Sequence, residues 1–296
     1  AAMPFLAAAA SSALPSDMII AGELHVPGTG DDRERVGGVS SAIRSSSLYR
    51  LAFAAFDVAS APDVDPVATP YSERMDLLAA LPDQGALFRV TVEQAEGGTA
   101  VEELFRSWVQ DQRREGIVVR VEDGRAYKVK PSFDLDGAIV GFTERRADDG
   151  ALEIRSLLVA IAHPDGGWIP LATTGNVGDA ATRRSLYEDL APTVCPSDFR
   201  RTSDNSGISY RFVEPRLVAE LRVTDAQAED AKGHLIRDPR LVFDPTSGWK
   251  VDGWVPSAGL LYPAFQRLRA DKQANAEDCG WNQIERLLPL PADDGG

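Results

Sequence analysis

Residues 115–131 of this 296-residue chain read EGIVVRVEDGRAYKVKP, and this stretch predicts its own local fold. β-Branched residues alternate with residues facing the other way on both sides of the turn sequence at 122–124, which predicts a β-hairpin. Side chains alternate faces along a strand, so Lys128 and Lys130 point to the same side. Glu115 on one strand and two ammonium groups on the next suit a phosphate and a divalent cation. An ordinary exposed hairpin with solvated charges is the alternative interpretation.

The hairpin resembles motifs IV and V of the covalent nucleotidyltransferases, the superfamily of ATP-dependent DNA ligases, RNA ligases and mRNA capping enzymes. Four further segments also resemble motifs of this family, and all of them occur in the order that the family shows. Three precede the hairpin and one comes after it. Residues 19–24 resemble the strand whose Glu contacts the nucleotide ribose, 53–58 resemble motif III, 71–78 resemble the helix start after motif III, and 263–272 resemble motif VI of DNA ligases. The resemblance therefore covers nearly the whole chain and implies an ATP-dependent DNA ligase.

The resemblance implies that Glu23 and Phe56 bind the nucleoside part of ATP. Glu23 follows a Gly at the end of an Ile-rich strand and would contact the ribose, and a solvent-exposed strand end is the alternative. The ring of Phe56 would stack on the purine, an interaction that contributes about 1–3 kcal/mol per base. Phe53 and Phe56 share an apolar strand, so packing in the core is at least as good an interpretation of both.

The resemblance also implies which residues handle the phosphates. Glu115 would hold the metal ion, Mg²⁺ or Mn²⁺, and Lys128 and Lys130 would hold the α-phosphate, where negative charge gathers during transfer. Arg269 and Lys272 of motif VI would orient the pyrophosphate leaving group, which makes closure of the second domain over the nucleotide part of the mechanism. Charged residues on a surface segment also need no special role.

The family's nucleophile, a lysine in a Lys-x-Asp-Gly motif before the Gly-Glu strand, is absent from this sequence. The only lysines are Lys128, Lys130, Lys232, Lys250 and Lys272, and none has that context. We expect an N-terminally truncated segment that cannot form the covalent adenylate alone. A split enzyme with its lysine on another polypeptide and a degenerate paralogue without transfer chemistry are the alternatives.

The element pattern predicts an α+β fold with two domains. Residues 1–132 would form an N-terminally incomplete nucleotidyltransferase (adenylation) domain. Residues 133–288 contain several short strands broken by Gly, Pro and Asp turns, with one helix, which is typical of an OB-fold β-barrel. Residues 289–296 are predicted to be a disordered tail. The predicted elements are strands over 18–26, 50–58, 87–92, 116–121, 126–130, 137–142, 154–162, 168–173, 216–223 and 248–254, and helices over 72–81, 99–112 and 180–190.

Composition and charge restrict the class of protein further. The formal charge of −14 is unusual for a protein that binds nucleic acid. Paired arginines, such as those at 200–201, are still compatible with a local basic groove. Cys195 and Cys279 stand alone, which excludes a zinc finger or a disulfide framework and fits the cytoplasm. The apolar residues 4–14 are too short to span a bilayer, so no membrane association is expected.

The sequence thus predicts a polynucleotide ligase that uses ATP and Mg²⁺ (or Mn²⁺) to seal 5′-phosphate/3′-hydroxyl nicks in duplex DNA, through lysyl-AMP and adenylated-DNA intermediates. We expect a monomer that acts in DNA repair or replication. The short spacing from Glu115 to Lys128 departs from many DNA ligases and keeps an RNA ligase as an alternative. A catalytically inactive nucleic-acid-binding paralogue is the alternative from a different class.

Overall fold

The computed structural model describes residues 3–27, 37–44, 46–65, 67–82, 85–112, 114–121, 125–203, 207–230, 234–285 and 287–288. The chain forms two compact units, Ala1–Lys130 and Pro131–Gly296. The predicted turn at 122–124 and the predicted tail at 289–296 lie outside the described residues. No helix in the described ranges is long and apolar enough to cross a membrane.

The α+β class is confirmed, and most of the predicted elements are present. The helices are α1 (Pro4–Ala13), α2 (Gly37–Arg44), α3 (Tyr71–Ala79), α4 (Gly97–Phe105) and α5 (Ala180–Leu190). The strands are β1 (Ile19–His25), β2 (Ala52–Ser60), β3 (Leu87–Arg89), β4 (Ile117–Arg120), β5 (Ala126–Val129), β6 (Phe133–Arg146), β7 (Leu152–Ala162), β8 (Trp168–Thr174), β9 (Arg211–Phe212), β10 (Val218–Val223), β11 (Asp225–Gln227), β12 (Arg237–Asp244), β13 (Gly248–Pro256), β14 (Gly259–Leu261) and β15 (Ala264–Leu268).

The first unit is built on a three-stranded sheet in the order β1-β2-β3, with β1 antiparallel and β3 parallel to β2. Helix α3 packs on this sheet, because its buried Met75 and Leu78 contact Ala55 and Val58 of β2. The predicted helix over 99–112 is α-helical only to Phe105, after which the chain forms a π-helical turn. Strands β4 and β5 form a separate antiparallel hairpin, as predicted.

The second unit is an antiparallel eight-stranded sheet along the path β13-β12-β8-β7-β6-β10-β15, with β9 added to β6. Strand β6 has 14 residues, more than twice the predicted length, and it is buried on both faces. One face packs Ile139 against Leu186 of α5. The other packs Val140 with Trp249 of β13. In the described part of the chain no pairing joins β13 to β15, so the strand path of the predicted OB barrel is open here.

Candidate functional site

The hairpin of β4 and β5 brings two of the three predicted phosphate-site residues, Glu115 and Lys130, into contact and carries the third, Lys128, on β5. Val118 pairs with Lys128 and Ile117 with Val129, so the residues just beyond the strand ends meet. There the ammonium group of Lys130 forms an ion pair with the carboxylate of Glu115. A carboxylate and one ammonium group thus meet just beyond the strand ends, and Lys128 lies two residues before Lys130, within β5.

Gly116 makes this close approach possible. A Cβ atom at residue 116 would lie 2.6 Å from the carbonyl oxygen of Val129 and 3.0 Å from Cγ of Lys130. Real Cβ atoms do not approach a carbonyl oxygen this closely, so a side chain at this position would push the strand ends apart. The Glu-Gly pair is therefore explained by geometry: the glycine lets Glu115 reach the end of β5.

Solvent reaches all three side chains. Lys128 is exposed, and the side chains of Glu115 and Lys130 are 40% and 42% exposed. An exposed ion pair contributes about 0–1 kcal/mol, so opening it to admit a phosphate or a cation costs little. In the described ranges, no group of three or more His, Cys, Asp or Glu residues is arranged so that it could hold a metal ion. Glu115 therefore fits a metal such as Mg²⁺ only as one ligand beside phosphate oxygens and water, which is the usual arrangement for nucleotide-bound Mg²⁺.

The structure separates the two aromatic residues of β2. The ring of Phe53 covers Gly22, where a Cβ would lie 2.4 Å from Phe53 Cε1, and Phe53 packs against the core cluster beneath α3. Phe56 is half-buried and does not belong to that cluster. It also has no partner on β1, because the register passes from Ala55 to Asp57 at a β-bulge. Bulges commonly redirect a side chain beside an active site.

Glu23 lies on β1, next to this part of β2. It pairs with Ala54, and its side chain is exposed. Alternation along β1 places it on the face opposite Gly22 and its Phe53 contact. Glu23 and Phe56 are thus carried by neighbouring strands of one sheet, and their binding of ribose and purine stays a prediction.

A charged cluster beside Phe56 was missed by the sequence reasoning. Arg74 of α3 is buried, and its guanidinium donates to both carboxylate oxygens of Asp57, at 2.7 Å and 3.2 Å. The hydrogen bond to Asp57 raises the pKa of Arg74, so the guanidinium stays charged although it is buried. The Tyr71 hydroxyl donates to the carbonyl oxygen of Phe56 at 2.9 Å. Burial raises the pKa of Tyr71, which keeps this hydroxyl protonated and able to donate.

Arg120 of β4 joins the same cluster. Its guanidinium carbon lies 4.3 Å from the centroid of the Tyr71 ring, within the range of a cation–π contact. Its Nη1 atom is 3.8 Å from Oδ2 of Asp57. The only sign of this contact in the sequence was that Arg120 is the last residue of the strand that begins after Glu115.

Arg269 and Lys272 lie in the second unit, and each has carboxylate partners there. Arg269 Nη1 donates to both oxygens of Asp136 at 3.0 Å and to Glu220 at 3.1 Å, and its Nη2 donates to Asp271 at 2.7 Å. These partners raise the pKa of Arg269, and Arg269 lowers that of Asp271. Lys272 donates to Asp278 at 2.9 Å. Pyrophosphate binding by these residues stays a prediction, and it requires the phosphate to replace internal carboxylates.

The second unit also contains a cleft of about 310 Å³. It is lined by Val194, Cys195, Ser197, Phe199, Arg200, Ser209, Tyr210, Arg211 and Phe212. None of the predicted site residues lines it. Burial raises the pKa of Cys195 to about 11 and that of Cys279 to about 12, so neither thiol is an ionised nucleophile near neutral pH.

No protein-family model matches the chain, and no curated protein does either. Among solved structures, the ligase domain of LigD from M. tuberculosis is 21% identical, with a TM-score of 0.32 over 87% of this chain and 74% of that one. Mycobacterial DNA ligase D in complex with ATP and MES is 21% identical, with a TM-score of 0.36 over 92% and 79%. A Lig E DNA ligase is 15% identical, with a TM-score of 0.46 over 84% and 76%. All three are ligases.

Proposed function

We propose that this chain belongs to an ATP-dependent ligase and acts in sealing 5′-phosphate/3′-hydroxyl nicks in duplex DNA. The observation that carries the proposal is the hairpin end at which Glu115 and Lys130 meet because residue 116 is a glycine, with Lys128 on the adjoining strand β5. These groups belong to two of the motifs by which the sequence resembles ligases. A hairpin with only a scaffold role does not require a carboxylate and an ammonium group at a glycine-dependent contact.

In the proposed sequence of reactions, a lysine attacks the α-phosphate of ATP and releases pyrophosphate. AMP then passes to the 5′-phosphate of the nick, and the 3′-hydroxyl attacks that phosphate and displaces AMP. Lys128 and Lys130 offset the charge on the phosphate of the AMP group in each step. Glu115, now paired with Lys130, would hold a divalent cation, which would supply further positive charge to the phosphates. Phe56 and Glu23 hold the purine and the ribose.

Sealing of a nick that already carries 5′-adenylate tests the proposal on this chain, because this last step needs no lysine nucleophile. We expect the chain to join such a nick in duplex DNA with Mg²⁺ and to stop when EDTA removes the metal. The product is measured on a denaturing gel. A matched nick in RNA, sealed faster than the DNA nick, would assign the chain to RNA joining. Tight binding of the nick without joining would favour the non-catalytic nucleic-acid-binding protein that the absent Lys-x-Asp-Gly motif suggests.

The predicted role of Arg269 and Lys272 is tested by comparing two ligands. Pyrophosphate is present in ATP and absent from AMP. Replacing both residues with Ala should therefore weaken ATP binding about tenfold or more and leave AMP binding unchanged, since a hydrogen bond to a charged group contributes about 1.5–3 kcal/mol. Calorimetric titration measures both affinities. Arg267→Ala is the matched control, because Arg267 is exposed and pairs with Glu220 nearby. Equal losses for ATP and AMP would mean that Arg269 and Lys272 support the fold instead.

A further inference from the structure

The hairpin of β4 and β5 needs an anchor. Among the described strands these two pair only with each other. Several of their apolar side chains are exposed, with Val118 55% and Tyr127 48% exposed, and Ile117 and Val119 are only half-buried. A two-stranded hairpin is marginally stable in water on its own, so contacts with the rest of the unit matter. Binding of a phosphate by Lys128 requires that the hairpin be held in one place relative to the nucleotide.

Arg120 lies on the same face of the hairpin as Lys128. Arg120 pairs with Ala126, and Val118 pairs with Lys128, so residues 118, 120, 126 and 128 share one face. That face meets the rest of the first unit through Arg120, whose side chain is 30% exposed between the Tyr71 ring and Asp57. The contact of Arg120 with Tyr71 and Asp57 therefore fixes the position of the hairpin face that carries Lys128 relative to α3 and β2.

Tyr71 contacts both halves of the proposed nucleotide site. Its ring lies against Arg120 of the hairpin, and its hydroxyl holds the carbonyl oxygen of Phe56 at the β-bulge. The paired hydrogen bonds from Arg74 fix Asp57, the other partner of Arg120. One side chain of α3 thus connects the strand that carries the aromatic platform to the hairpin that carries the phosphate-binding lysines.

We infer that Arg120 is a positioning residue that sets Lys128 at a fixed place relative to Phe56, by stacking on Tyr71 and pairing with Asp57. The inference rests on the proposed function and adds a residue to it. Arg120 acts through Lys128: it orients the hairpin, and Lys128 contacts the phosphate. Geometric errors of about 1 Å at a reacting group can cost on the order of 100-fold in rate.

The test uses the full chain and a nick that carries 5′-adenylate. Arg120→Ala should lower the rate constant of sealing by about 10- to 100-fold while DNA affinity stays near that of the unchanged chain. In a Lys128→Ala background, Arg120→Ala should lower the remaining rate by no more than about twofold, because a positioning residue has nothing left to position. Arg125→Ala is the matched control: it removes an arginine of the same hairpin, one that lies over the hairpin's own Tyr127, and should keep the rate.

Hydrogen exchange without substrate separates failure of this inference from failure of the proposed function. Arg120→Ala should speed amide exchange in β4 and β5 and leave the second unit unchanged, because the anchor is local. Unchanged exchange, an unchanged sealing rate, or losses that add to those of Lys128→Ala would each overturn the role of Arg120. Absence of both sealing and AMP binding in the unchanged chain would refute the proposed function itself. Faster exchange with normal sealing would mean that the hairpin is not the phosphate site.

Discussion

Lys128→Ala should lower the rate of sealing an adenylated nick by about 100- to 1,000-fold, the usual cost of removing one group that stabilises transition-state charge. Lys128 is exposed and lies in the middle of β5, opposite Val118, so the loss is expected without any change in folding. Because the phosphate of AMP is present in every ligand state, AMP binding should weaken as well. Single-turnover sealing and titration with AMP measure the two effects.

Lys250→Ala provides the control for this experiment. Lys250 is also an exposed strand lysine, on β13 of the second unit, so its removal changes the net charge equally. It should leave sealing and AMP binding unchanged. If Lys128→Ala and Lys250→Ala behave alike, the hairpin does not bind the α-phosphate, and the assignment of Lys128 has to be withdrawn.

Gly116→Ala should remove sealing to a similar degree although it deletes no charged group. The new Cβ would lie 2.6 Å from the carbonyl oxygen of Val129, a backbone atom that can move only if β4 and β5 separate. Separation takes Glu115 away from Lys130 and disturbs the register that places Lys128. The melting temperature should change little, since most of the side chains of β5 are exposed and the hairpin is not part of the sheet of the first unit.

Gly98→Ala separates the steric effect from a general effect of replacing glycine. A Cβ at residue 98 would meet nothing within 4 Å, and the position lies in α4. Alanine there should be neutral or stabilising by up to about 1 kcal/mol. The measurements are sealing rate and thermal unfolding by circular dichroism. Normal sealing by Gly116→Ala would show that the contact between Glu115 and β5 is dispensable.

Local patterns predicted those elements whose cause is local. Helix α5 has the predicted bounds, Ala180–Leu190, and its Asp179 caps the N-terminus by accepting from the backbone N–H of Thr182. The β4–β5 hairpin followed from alternation and a turn sequence. Strands β12 and β15 were missed, because charged residues interrupt their apolar pattern and only pairing with neighbouring strands identifies them. The change from α- to π-helical hydrogen bonding after Phe105 was missed as well, because it leaves the spacing of the apolar residues unchanged.

For the candidate site, the sequence alone predicted Glu115, Lys128 and Lys130, because alternation along a strand and the order of motifs depend only on the chain itself, and their roles stay a prediction. It could not decide which of Phe53 and Phe56 packs in the core. Alternation puts the two rings on opposite faces of β2, but which face packs beneath α3, and that Phe56 lies at a β-bulge without a partner on β1, depend on the tertiary structure. Only the tertiary structure brings Arg120 to Tyr71, since their contact depends on how the hairpin lies against α3, and that packing is set by side chains far apart in the sequence.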